Sequence, residues 1–536
     1  MPQAHSMHSR RQRRCMSQHH NHFIRLSCSL IFIFDLCWAA LPAQLPPVIT
    51  PKTTPNILAV NTHFASRSAQ LRDIPAHVTS ARALQTPWVR EDFHWYRIQR
   101  TADAYDWSFT DATVDAFEDQ GIHILGVLGH PPGWATINQQ DDPYHNSFAA
   151  PDPDLYAAWA AQTVVRYRHR VTHWQIWNEP DNPHFWYPTP DPVAYAKLVH
   201  ITARAIARVA PEVKLVAAGI NPFALQFLQG AAAAGLWNDV DILAIHPYVN
   251  PLDPRYSGLA EAALLLTPLL HRYGHKPIWI TEIGWASATS DRDPPGAMTE
   301  HLQAEYLSRA VQILWQTDIS HVFWYSWKDE KTNPYGLFRW ANGPDDMSQP
   351  KRAAAVFRTL QSVTHIRPRT LTFHPVLNFD SMHDVWVRGD EHTGVLYASQ
   401  RRAVNGGNAI AIRYAFPAFG NQYLVFRRWH HAPLPMGTTQ VCLTVWGDNT
   451  STLVRIWLRG SDSKRVQLTL GMSGPTGWRD LCAPLPQQFA SWDRIDPSDG
   501  ILQQPATFEA LVIDDAPDGS GSQGTIFFDA LRATTD

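Results

Sequence analysis

The chain has 536 residues, 45% of them hydrophobic and 17% charged, with a formal charge of −3. That length calls for two or three domains, and the composition is that of a globular protein with large cores rather than a disordered chain. The near-neutral charge argues against the basic surface of a nucleic-acid binder. Along with 22 Trp, 16 Tyr and 23 Phe, it favours a neutral or polar substrate on which flat rings can stack.

Residues 1–50 read as a leader. Arg10, Arg11, Arg13, Arg14 and Arg25 precede an apolar stretch, Leu26 to Leu41, broken by Asp35 and followed by the spacer Leu45-Pro46-Pro47. A basic segment followed by a short apolar one is the export-signal pattern. This predicts a secreted or extracytoplasmic protein, with cleavage near Ala40 or Ala43. The apolar run is short for a spanning helix, and an uncleaved membrane tether is the alternative. Cys15, Cys28 and Cys37 lie in the leader, which leaves Cys442 and Cys482 on strand-like stretches. These two either pair across a sandwich in an oxidising compartment or stay as buried thiols, since sequence does not supply the distance between them. No Cys/His set has zinc-ligand spacing.

From residue 51 to 365 short apolar runs alternate with helical patterns. The runs are Ile57–Val60, Trp88–Arg90, Ile122–Leu128, Trp174–Trp177, Lys214–Ala218, Ile242–Ile245, Ile278–Ile280 and Val322–Tyr325. Amphipathic stretches such as Tyr156–Tyr167, Tyr195–Val209 and Leu302–Trp315 separate them. Asp152-Pro153 and Asp191-Pro192 predict helix starts, with a capping carboxylate followed by Pro in the first turn. Eight such units predict an α/β fold, a (β/α)8 TIM barrel. An open doubly wound sheet is the alternative, but no Gly-rich phosphate loop follows any run.

In a barrel the working residues sit at the C-terminal ends of the strands. Those ends carry His63, Arg90, His130, Asn178-Glu179, Asn221, His246 with Tyr248, Glu282 and Trp324. Glu179 ends the fourth run in Trp177-Asn178-Glu179-Pro180, and Glu282 ends the seventh in Thr281-Glu282-Ile283-Gly284-Trp285. Hydrolysis of a glycosidic bond needs one carboxylic acid to protonate the leaving oxygen and one carboxylate to meet the anomeric carbon. Two glutamates that close apolar strands on one rim suit that division of labour.

The same two segments resemble the active-site signatures of glycoside hydrolase clan A, closest to family 39, the β-xylosidase-like enzymes, with family 5 as a neighbour. The resemblance covers roughly residues 56 to 365. It implies an O-glycosyl hydrolase acting with retention through a covalent glycosyl-enzyme, with Glu179 as acid/base and Glu282 as nucleophile. It further implies that Asn178 binds the sugar 2-hydroxyl and that Arg90 keeps Glu282 ionised. Tyr248, beside His246, would donate to Glu282, and Trp324 would floor the sugar subsite. Trp134, in Pro131-Pro132-Gly133-Trp134, is a candidate wall for the same pocket or a plain loop-core Trp. His63 and His130 are substrate-binding candidates whose alternative is a structural histidine. Glu91, Asp329 and Glu330 read as supporting or loop carboxylates. The implied substrate is a glycoside, oligosaccharide or polysaccharide, probed first as a β-xyloside or related β-glycoside, with no cofactor for catalysis and no nucleic-acid partner. The loops Asn138–Phe148 and Ala286–Thr299 are expected to shape the subsites.

From residue 366 to 536 helical periodicity gives way to alternation, as in Val441/Leu443/Val445, Val454/Ile456/Leu458 and Val466/Leu468/Leu470. Turn clusters at Asn405-Gly406-Gly407 and Gly460–Ser463 separate these stretches. The pattern predicts a β-sandwich or jelly roll. The last stretch, Thr525–Leu531, resembles the final strand of carbohydrate-binding or galactose-binding-like jelly rolls. That resemblance makes Asp380 and Asp529 candidates for a structural calcium. A sandwich that binds nothing is the alternative. For the whole chain, the alternatives to hydrolysis are a transglycosylase using the same site and a non-catalytic sugar-binding barrel, which would have no need of the glutamate pair.

Overall fold

The computed structural model describes residues 56–535 except 138–147, 224, 251–252, 255–258, 261, 289–298, 342, 344–345, 347, 363–371, 380–385, 389–393, 403–407, 418–421 and 516–521. The leader, Asp380, the Asn405-Gly406-Gly407 turn and most of the two subsite loops lie outside the described residues. Among the described residues no helix is long and apolar enough to cross a membrane.

All eight apolar runs are strands: β1 (Ile57–Asn61), β2 (Trp88–Phe93), β3 (His123–Leu128), β4 (His173–Ile176), β5 (Lys214–Val216), β6 (Leu243–Ile245), β7 (Ile278–Ile283) and β8 (His321–Trp324). They form one parallel sheet in the order β5-β4-β3-β2-β1-β8-β7-β6. Parallel bridges Val216↔Ile242 and Ile220↔Ile245 bring its two ends together, so the sheet all but closes and the open-sheet alternative fails. The helices start where their caps predict. Asp152 accepts from the amides of Asp154 and Leu155 ahead of helix Pro153–Tyr167, and Asp191 accepts from Val193 and Ala194 ahead of helix Pro192–Ala207. Each cap satisfies N–H groups that a helix start leaves open.

The barrel is filled, not hollow. Ala59, Trp88, Leu125, Val216, Ile242, Ala244, Trp279 and Phe323 form an inner plug, and the outward faces of the strands join the helices in a larger apolar cluster. Side chains alternate between those two environments with a period of two along each strand.

The remaining strands are β9 (His374–Leu377), β10 (Trp386–Arg388), β11 (Gly394–Arg402), β12 (Asn408–Ala415), β13 (Tyr423–Pro433), β14 (Gln440–Trp446), β15 (Thr450–Arg459), β16 (Arg465–Gly474), β17 (Trp478–Pro484), β18 (Thr507–Asp514) and β19 (Gln523–Thr534). They make two antiparallel sheets, β10-β13-β18-β15-β16 and β11-β12-β19-β14-β17, with β9 paired to β19. The alternating residues Val441, Leu443, Val445, Val454, Ile456, Leu458, Val466, Leu468 and Leu470 all enter the core between them. Cys442 and Cys482 face each other in register on β14 and β17 and form a disulfide. The bond therefore ties neighbouring strands of one sheet, neither joining the two layers of the sandwich nor leaving two buried thiols.

Barrel and sandwich belong to a single compact unit, Lys52–Asp536. Leu453 and Met472 of the sandwich join the barrel's apolar cluster, and the Ser451 hydroxyl donates to the Phe223 carbonyl at 2.6 Å.

Candidate active site

Two positions beyond the apolar plug the inward face turns polar. Ala59 is followed on that face by Asn61, Trp88 by Arg90, Ala244 by His246, Trp279 by Thr281 and Phe323 by Tyr325. Period-two alternation thus lays a layer of hydrogen-bonding groups directly on a dry floor at the C-terminal rim.

Arg90 is the hub of that layer. It is 2% exposed, and its guanidinium donates to Glu282 Oε1 at 2.6 Å, Asn61 Oδ1 at 2.7 Å, Asn178 Oδ1 at 2.7 Å and Gln175 Oε1 at 3.2 Å. The planar fork fixes four partners at once, which the compact ammonium of a lysine does not match. Because Arg90 takes the Asn178 carbonyl oxygen, the amide NH2 of Asn178 is the end left to meet a ligand.

Glu282 is 7% exposed. Burial opposes its charge, yet His246, Arg90 and His63, with a hydrogen bond from Tyr248, outweigh burial and hold the carboxyl below its ordinary value. The Tyr248 hydroxyl donates to Glu282 Oε2 at 3.0 Å. Burial and the Glu282 charge push that phenol well up, so it stays a neutral donor.

Glu179 stands opposite. Its Oε1 lies 2.7 Å from His246 Nδ1, and its Oε2 accepts from Asn182 at 3.2 Å. His246 Nε2 meets the Thr281 hydroxyl at 2.9 Å. The imidazole fits because residue 219 is Gly: a Cβ there would come within 1.9 Å of His246 Nε2. Donor atoms of Glu179, His246 and Glu282 all lie within 4.8 Å of one another. Such a trio is geometrically able to hold a cation, but a cation would compete with the Arg90 guanidinium already on Glu282.

The other predicted residues divide. His63 Nδ1 is 2.6 Å from Asp92 Oδ2, and its ring meets Tyr325 edge-on at 5.7 Å. Its Nε2 is buried with no hydrogen-bond partner among the described residues, which leaves it available beside Glu282. His130 sits in an aromatic nest of Phe148, Trp177 and His94. Burial pushes it well down, as for a structural histidine. Trp134 is 36% exposed, donates to the Arg100 carbonyl and packs on Trp95. Trp324 does not floor the site: it is 1% exposed, faces outward and stacks on Trp285. The inward ring is its neighbour Tyr325, grouped with Tyr248 and Tyr335. The correction follows from the strand period, since Phe323 is in the plug and Trp324 must therefore point the other way. Asn221 uses its backbone N–H, donated to Asp181 Oδ2 at 2.8 Å, and Asp529 is buried in β19.

The supporting carboxylates behave as supports. Glu91 is fully buried and accepts from Thr62 and from the amides of Phe64 and Ala65, fixing the β1 rim. Asp329 pairs with Lys351 at 2.5 Å and Glu330 with Arg67 at 2.8 Å. Sequence reasoning missed Asn61, Gln175, Thr281, Asp181 and Tyr325. The signal for four of them was available: polar residues at inward positions of otherwise apolar strands.

Residues 154–343 match the family model described as glycosyl hydrolase catalytic core. No curated protein matches the chain. Among solved structures, a family 39 glycoside hydrolase from Bacteroides cellulosilyticus is 17% identical, with 89% of this chain and 81% of that one covered, at a TM-score of 0.48. A family 39 enzyme from Xanthomonas axonopodis pv. citri is 16% identical over 86% and 94%, at 0.46. A monomeric β-xylosidase from Caulobacter crescentus is 14% identical over 86% and 97%, at 0.45. The matched stretch spans β4 to β8 and includes both glutamates.

Proposed function

We propose that the protein is a retaining glycoside hydrolase in which Glu282 is the nucleophile and Glu179 the acid/base. The observation that carries this reading is the separation of the two carboxylates. Their oxygens approach within 4.8 Å, near the ~5–5.5 Å of retaining enzymes and short of the ~6.5–9.5 Å that leaves room for an attacking water. Their surroundings also differ in the required sense. Glu282 is gripped by a guanidinium and a phenol, whereas Glu179 has no arginine or lysine ion pair among the described residues.

In the first step the Glu282 carboxylate attacks the anomeric carbon while Glu179 gives its proton to the departing oxygen, forming an ester between Glu282 and the sugar. In the second, Glu179 takes a proton from water, the resulting oxygen attacks the anomeric carbon, and Glu282 leaves as a carboxylate. In this reading the Asn178 amide meets the 2-hydroxyl and His63 Nε2 another hydroxyl of the same sugar. A β-xyloside or related β-glycoside is the substrate class that the two glutamate motifs suggest. The Cys442–Cys482 disulfide supports action outside the cytoplasm, where such bonds persist.

A panel of activated aryl β-glycosides tests the reading. One glycoside should turn over, Glu282→Gln should abolish turnover, and Glu179→Gln, which removes the base that activates water in the second step, should slow it about 10²–10⁴-fold. Full activity in either variant would refute the assignment.

A further inference from the structure

At the seam between barrel and sandwich lies a hollow of about 410 Å³, walled on one side by Phe223, Gln226 and Gln229 and on the other by Phe416, Asn449 and Gln523. Among the described residues no ionisable side chain lines it. Its hydroxyls are already committed: Ser451 to the Phe223 carbonyl, Thr450 to Asp448 and Ser522 to Thr452. The amides of Gln226, Gln229 and Gln523 are exposed and make no hydrogen bond to the described residues, and the Asn449 carbonyl oxygen is likewise without a partner. A second hollow, lined also by Arg413, lies past Ala415 and Gln523 along β12 and β19 and is not part of the uncharged one.

The position of this hollow ties it to the active-site face. Pro222 and Phe223 follow β5 in the loop at the C-terminal rim, directly after Asn221. The Asn221 N–H is bonded to Asp181, two residues beyond Glu179. The Ser451 bond and the apolar contacts of Leu453 and Met472 fix the sandwich against that loop, so the walls are preformed. An uncharged trough of free amides offers paired donors and acceptors, the complement of neutral hydroxyls, and gives an ionic ligand no counter-charge.

We propose that this seam is a second glycan-binding site, which takes neutral sugar units of a chain whose end lies at the glutamate pair. The inference rests on the glycoside hydrolase reading for the identity of the chain, while the binding itself is separable from catalysis. Affinities for xylobiose, xylohexaose and cellohexaose, measured by calorimetry on the full chain carrying Glu282→Gln, test it. At least one hexaose should bind roughly tenfold more tightly than the disaccharide. Adding Gln226→Ala and Gln523→Ala should erase that difference, and the same pair placed in the active chain should leave aryl glycoside turnover and the thermal midpoint unchanged. Equal affinity for short and long sugars, no binding of any probe, or a length preference that survives the double variant would overturn the proposal. Length-dependent binding through the two glutamines in a protein that hydrolyses nothing would instead keep the site and refute the catalytic reading.

Discussion

Arg90 concentrates the energetics of the rim in one side chain. A buried carboxylate is tolerated only when it is paired and hydrogen-bonded, and Arg90 supplies Glu282 with both while also orienting Asn178. Arg90→Met leaves the Glu282 charge buried without its closest cation. Urea denaturation should show a loss of about 3–5 kcal/mol, with turnover falling alongside; an unchanged midpoint would contradict the hub. Asp181 is the opposite case. Burial, reinforced by the Glu179 charge, pushes it up to about 7, so between about pH 4 and 7 the native state holds a proton that the unfolded chain has lost. The stability tied to this group is therefore fully present at pH 4, declines as pH rises through 7 and is not recovered above it. Asp181→Asn, which keeps an acceptor for the Asn221 amide, should raise the thermal midpoint at pH 8 and leave it unchanged at pH 4; equal gains at both would refute the assignment. Glu179 and Glu282 were legible in the sequence because each carboxylate closes an apolar run. Trp324 was misread because proximity to a strand end does not say which face a side chain takes, and Phe323 in the plug settles that only once the inner layer is known.

At the scale of elements, strands and caps were the most legible features. Apolar runs of three to seven residues between helical patterns have few other destinations in a chain of this composition. An Asp-Pro pair ahead of an amphipathic stretch states where its helix begins. Asp191→Ala should therefore remove two amide partners from helix Pro192–Ala207 and lower stability by about 1 kcal/mol in chemical denaturation. Gly219 shows what the pattern did not reveal, a residue chosen for the space above it. Gly219→Ala should drive the His246 ring from its place between Glu179 and Thr281. Displacement of that kind is expected to lower activity about 100-fold while circular dichroism still reports the barrel. Wild-type activity in this variant would mean that His246 does not position Glu179.

At the scale of the whole molecule, alternation identified the second region as β-sheet, but not which strands pair. Cys442 and Cys482 lie on separate strands in the sequence, and only the register of β14 against β17 makes them neighbours. Their bond closes a loop with a sequence separation of 40, for which chain entropy gives about 4 kcal/mol. The double variant Cys442→Ser, Cys482→Ser should lose a comparable amount, read from the sandwich's denaturation transition, with the aryl glycoside activity of the folded fraction kept. The seam between barrel and sandwich had no sequence signature at all. It is made by Ser451 and Phe223, 228 residues apart, and such pairings exist only once both regions have folded.

The most direct test of the account is the configuration of the sugar first released from a hydrolysed aryl glycoside, followed by proton NMR before mutarotation. Carboxylate oxygens within 4.8 Å of each other predict that the new hemiacetal has the same anomeric configuration as the substrate. Initial appearance of the opposite anomer would mean that water attacks directly, and Glu282 would not be the nucleophile.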